Sequence, residues 1–168
     1  QWNTAGVADT MRFSVGEYHN VGNHANVPWD REVHLAFRHV VATYNKDTNV
    51  SQLWLDGVKG TDGVKSTGSP GPMPGTGPTR IGVLATNANY SWPGKIDEMA
   101  FYNVVLTDGA IGELYNSGLG ARANTVSSSA LVCYLDMECN GPGSTIVKDL
   151  SGNDLSGTLT SADPGTCG

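Results

Sequence analysis

The chain has 168 residues, a formal net charge of -6, only 15% charged residues, and 22 glycines with 8 prolines. That length suits one ordinary domain with a core between two sheets and leaves no room for a second full domain. The acidic balance offers no basic face to a phosphate backbone, which argues against nucleic acid, and no apolar run approaches the roughly 20 residues that span a bilayer. Few charges and many Gly and Pro suit short strands joined by turns, so mostly β structure is expected.

In chain order, Met11 to Val15 and Leu35 to Tyr44 are β-branched, aromatic and apolar, and are bounded by Gly, Asn and Pro, which predicts strands. From Val50 to Gly57, Leu53 and Leu55 share one face while Gln52, Trp54 and Asp56 share the other, and Asp56-Gly57 is a strong turn pair. Thr61 to Thr79 holds four prolines and five glycines and reads as a long surface loop, before strand character resumes at Arg80. Gly94 to Asn103, GKIDEMAFYN, reads as a buried strand. It runs straight into VLTDGAIGELYNSG, the helical signal of the chain: Thr107 or Asp108 can cap a helix with Ile111, Leu114 and Tyr115 on one face and Gly118 at its end. Gly109 and Gly112 weaken that helix. Residues 121–130 read as a polar linker; LVCYLDM then restarts a strand and DLSGNDLSGTL a turn. No repeat of fixed period is present, which disfavours a solenoid or propeller.

Cys133, Cys139 and Cys167 permit at most one internal pair. Cys139 begins the turn CNGPG and Cys167 lies in a glycine-rich tail, so their pairing is expected. Cys133 sits in an apolar strand, where a free Cys behaves as a small hydrophobe; its bridging to another segment or chain is the competing reading. Asn49-Val50-Ser51 and Asn89-Tyr90-Ser91 are acceptor triplets for N-glycosylation near predicted turns. With a Gln1 able to cyclise and no initiator Met, they point to a secreted, processed glycoprotein.

The segments together resemble the laminin-G-like, concanavalin A-like lectin and glucanase jelly rolls. Trp2 with Phe13, Val15 and Gly16 is similar to the family's tryptophan strand and hairpin, and residues 38–44, RHVVATY, to its central W-x-HVA-x-TY strand. Leu53 to Gly57 is similar to its LYVDG hairpin, Ile81-Gly82 to its IG strand, and Gly94 to Glu98 to its closing strand. Leu106-Thr107 and Leu114-Tyr115 match the ends of its helix. The tail from Leu131 to Leu159 is similar to the family's first strand and D-x-SGN turn, so the piece that opens a family domain here comes last. The resemblance implies an all-β, antiparallel two-sheet β-sandwich with one short helix. Residues 1–120 would form its main portion, 121–130 a linker, and 131–168 the opening strands, completing the sheet in cis or in a neighbouring chain. An unpaired sheet edge must be covered, and a strand added from elsewhere covers it.

Several constellations could carry chemistry. Asp149, Ser151 and Asn153 present side-chain oxygens at alternate positions of a turn, with Asp154 adjacent, and such hard donors suit calcium. The spacing is not an EF-hand, since Asp154 stands in place of the Gly and Thr160 in place of the Glu. The resemblance implies a structural calcium here and would add Asp97 to its shell; the alternative is an Asx-turn in which Asp149 and Asn153 bond the backbone. Glycoside hydrolysis needs paired carboxylates. Asp136 with Glu138, and Asp97 with Glu98, are the nearest pairs, and neither has the leading Glu of the laminarinase-type E-x-D-x-x-E strand. His19, His24 and His34 read as solvated or unassigned, and His39 as a packing residue. Sugar rings stack on exposed aromatic faces with amide partners nearby, which singles out Trp29, Tyr90, Trp92 and Asn87. The expected role is therefore a non-catalytic extracellular recognition or adhesion module that binds glycans or glycoproteins. A structural subunit of an extracellular assembly, self-associating through its C-terminal strands, is the alternative, and a β-glucan hydrolase the minor one.

Overall fold

The computed structural model describes residues 10–14, 24–28, 36–64, 79–84, 87–92, 94–139, 141 and 144–159, with backbone alone for 10, 12, 14, 24, 83, 84, 87–91 and 139. The chain divides into two compact units, Gln1–Thr76 with Val105–Gly120, and Gly77–Val104 with Ala121–Gly168. All strand pairings between the described elements are antiparallel.

In the first unit, β1 (Thr10–Ser14) pairs with β2 (His24–Pro28). A second sheet runs β3 (Val40–Asn45), β4 (Val50–Leu55) and β5 (Val58–Lys59). A further strand, β6 (Gly63–Val64), lies beside Val50 and Ser51 of β4, so the loop expected from Thr61 still contributes a rung. Alternation places Leu53 and Leu55 on one face of β4, where they are buried with Ala25 and Val27 of β2 and flanked by Met11 and Phe13 of β1. Reciprocal bonds between the backbones of Asn26 and Thr61, 2.9 and 2.7 Å, join β2 to the segment after β5.

Strand β3 begins at Val40, later than its apolar run suggests, because the preceding N–H is used elsewhere. His39 N donates to Asp56 Oδ1 at 2.9 Å, Asp56 N donates to the His39 carbonyl, and the Arg38 guanidinium pairs with the same Asp56 carboxylate. Asp56 and Gly57 have φ of 51° and 74°, the double left-handed turn that matches the twist of a two-residue hairpin.

Helix α1 (Asp108–Tyr115) is capped by Thr107, whose Oγ1 accepts the Ala110 N–H at 3.2 Å, and Ile111 and Leu114 are buried. It ends at Asn116 with φ 47°, not at Gly118, since Asn also tolerates the left-handed region.

The second unit contains β7 (Val83–Leu84) paired with β8 (Asn87–Ser91). Its larger sheet runs in the order β12 (Gly157–Thr158), β11 (Ile146–Asp149), β10 (Leu131–Cys139), β9 (Met99–Tyr102). The tail strand β10 thus pairs with the GKIDEMAFYN strand of its own chain, through Met99↔Leu135, Ala100↔Tyr134 and Phe101↔Cys133. Between Leu131 and Leu135, both faces of β10 carry buried residues. Cys133, Leu135 and Val147 form one cluster with Ile81, Met99, Met137 and Leu159; Tyr134, Leu131 and Ala123 form another with Ala100, Tyr102 and Leu150. A register shift between Leu131 and Cys133 explains why these residues, two apart, fall in different clusters. Residues 121–130 form two single 3-10 turns, with Ala123 and Val126 buried and the Ala123 carbonyl accepting from Tyr102 OH at 2.9 Å.

Candidate functional site

Trp92 follows β8 and is the candidate sugar platform whose side chain is described. Its backbone N–H bonds the Gly82 carbonyl at 2.7 Å, and its indole Nε1 donates to the Lys95 carbonyl at 3.3 Å. A Cβ on Gly94 would stand 3.1 Å from Nε1, a close approach that a larger residue could make only by shifting the indole. Tied at its polar edge, the indole remains 36% exposed. A flat apolar ring fixed in one orientation loses little entropy when a sugar stacks on it. Asn87 and Tyr90 belong to β8, with side chains outside the described residues, and Trp29 lies outside them altogether.

The DLSGN turn is built around one carboxylate. Asp149 is only 5% exposed. Its Oδ1 accepts the N–H groups of Tyr134 and Ser151, both at 2.9 Å, and its Oδ2 accepts Leu155 N–H at 2.9 Å and the Ser151 hydroxyl at 2.8 Å. Burial alone would raise this carboxyl, but the donors from Tyr134, Leu155 and Ser151 outweigh it and hold it at about 2. Ser151 Oγ also lies 3.0 Å from the Val132 carbonyl, and Asn153 Nδ2 donates to the same carbonyl at 2.9 Å, so the turn is stitched to the start of β10.

Asp149 offers no free oxygen to a calcium ion, which takes roughly six to eight oxygen donors. Both oxygens of Asp149 are spent on the chain's own hydrogen bonds, and Asn153 donates its amide nitrogen to β10 carbonyls, which ties the turn to that strand and leaves its amide oxygen out of those bonds. Asp154 is exposed in the left-handed region at φ 60°. Asp97 is exposed, and its Oδ1 accepts the N–H of Glu98 at 3.0 Å. Among the described residues no group of three or more His, Cys, Asp or Glu could hold a metal. The arrangement is the backbone-bonding turn that the alternative reading describes.

The paired carboxylates make local or structural contacts. Asp136 Oδ1 accepts the Glu138 N–H at 3.2 Å, a local contact within β10. Glu98, at φ 52°, accepts from the hydroxyl of fully buried Tyr134. Burial first, and Glu98 next, push that phenol above its ordinary range. The Tyr134–Glu98 contact was hidden from the sequence. A buried Tyr demands a partner, but naming Glu98 requires the β9–β10 register, in which Ala100 faces Tyr134.

Cys133 is buried with a free thiol, and Cys167 lies outside the described residues. His39 is half-buried and stacks on Tyr115, ring centroids 5.9 Å apart. Among the described residues no helix is long and apolar enough to cross a membrane.

Comparison with curated proteins and with solved structures gave no match. A laminin G family model, described as the Concanavalin A-like lectin/glucanases superfamily, matches residues 3–112. That span covers well over half of the 168 residues, and it includes the Asp56-Gly57 hairpin, the turn that fixes Trp92, and the start of α1. On this match, supported by the antiparallel strands within it and after it, the chain belongs to the concanavalin A-like lectin and glucanase superfamily.

Proposed function

We propose that this protein is an extracellular, non-catalytic recognition module that binds glycans, free or carried on glycoproteins. The observation that carries the reading is the pinned, exposed indole of Trp92 in a domain of a lectin-containing superfamily. The carboxylates support a non-catalytic role, because Glu98 is engaged by Tyr134 and Asp136 by its own strand. Assembly by strand exchange is less favoured, since the β9 edge that faces β10 is filled by the same chain. The test is binding of the full chain to a panel of neutral and acidic glycans, followed by titration of any that bind. Trp92→Ala is expected to weaken binding about 5- to 150-fold, the scale of losing about 1–3 kcal/mol of ring stacking. Unchanged affinity in the variant would remove Trp92 from the site, and failure of the whole panel would remove the glycan reading.

A further inference from the structure

We infer that Asn49 is an N-glycosylation site that folding closes, so that the sugar is added only before β4 pairs with β6. Asn49 stands at the end of the β3–β4 hairpin turn, beside the exposed residues Lys46, Asp47 and Thr48. Asn45 Oδ1 accepts the N–H groups of Asp47 at 2.9 Å and Thr48 at 3.2 Å, which sets the turn, and Asn49 then takes the left-handed conformation at φ 57°. Its amide has two ends with different fates. Oδ1 accepts the Tyr44 hydroxyl at 3.0 Å, which orients the group, whereas Nδ2 has no partner among the described residues. Substitution at Nδ2 leaves the Tyr44 bond intact, so the folded hairpin accommodates the modified residue.

The third residue of the triplet behaves differently. Ser51 is 3% exposed, and its hydroxyl donates to the Gly63 carbonyl at 3.2 Å, on the rung where β4 meets β6. The acceptor triplet is read through that hydroxyl together with the Asn amide. In the native sheet the amide nitrogen is available and the hydroxyl is not. The unpaired strand presents both. The donor is an oligosaccharide carried on a polyprenyl diphosphate. The Nδ2–C1 bond forms as the C1–O bond to the diphosphate breaks; the diphosphate leaves with the bonding pair, and one amide proton passes to a base of the transferase.

Two measurements on the full chain test this. Secreted from a glycosylating host behind an added leader, the protein is mapped by intact mass and by peptides, with Asn49→Gln and Asn89→Gln made separately. Loss of one glycan in Asn49→Gln is expected. Chain made without glycans is then offered to the transferase and its lipid-linked donor, either native or opened by Leu53→Asp, a charge placed in the β4 core. The opened form is expected to be modified at least about tenfold faster, because the native sheet exposes Ser51 only through rare local opening. An unmodified Asn49 in the secreted chain, or equal rates for native and opened forms, overturns the inference. Neither outcome depends on whether Trp92 binds sugar.

Discussion

Replacing Asp149 by Asn keeps the size of the side chain and removes the charge around which the DLSGN turn is built. The carboxyl sits at about 2 against an ordinary 3.8. The difference, 3.8 − 2 = 1.8, at about 1.4 kcal/mol per pH unit gives ~2.5 kcal/mol favouring the folded state when the group is charged. For a chain of this size that corresponds to a fall in Tm of about 5–10 °C. The sign follows from a depressed folded value. The contribution is complete above the unfolded value of 3.8 and is lost as pH drops through the folded value near 2. Urea unfolding followed by tryptophan fluorescence, repeated from neutral pH down to about pH 2, should show wild type and Asp149→Asn converging only at the acid end. Added calcium or chelator should move neither curve, since the carboxylate already holds four donors. A gap below about 0.5 kcal/mol at neutral pH, or one that persists unchanged into acid, would refute the carboxylate-centred turn.

Gly57→Ala places a Cβ 2.9 Å from Tyr115 Cδ1 at a φ of 74°, and should cost about 1–3 kcal/mol in urea unfolding. Adding Tyr115→Ala should recover the steric share, so strictly additive losses would contradict the close approach. The His39 imidazole is held below its ordinary 6.5 by burial, against the opposing charge of Asp56. Stability should therefore decline as pH falls below 6.5, and His39→Gln should remove that component of the slope; an identical slope in the variant would count against it. Cys133 is 8% exposed, with its thiol raised by burial and then by Asp149. Peptide mapping should find it alkylated only after unfolding, and rapid labelling of the native chain would contradict its burial.

Strand alternation made much of the first unit legible. Leu53 and Leu55 announce a buried face, Asp56-Gly57 a turn, and Thr107 a helix cap, and each is local information. What stayed illegible depends on pairing between distant segments. Ser51 reads as a polar residue of an exposed triplet until Gly63 is placed across from it. Asp149 reads as a metal ligand until the N–H of Tyr134, fifteen residues earlier, is brought to its oxygen. The 121–130 stretch reads as a polar linker, and the burial of Ala123 and Val126 within it was not legible, because two small apolar side chains give no periodic signal. The sequence singles out Trp29 and Tyr90 by ring type and neighbouring amides, and their side chains lie outside the described residues.

The stitching of the DLSGN turn to β10 has a mechanical side. Tension applied beyond β12 would peel that strand from β11, and its two rungs, Ile146↔Thr158 and Val147↔Gly157, would separate in succession under little force. Peeling then reaches Asp149, where bonds to Leu155, Ser151 and Tyr134 share the load and must yield together. A short zip ending in a knot of this kind lets the end of the hairpin give way while the sheet behind it holds.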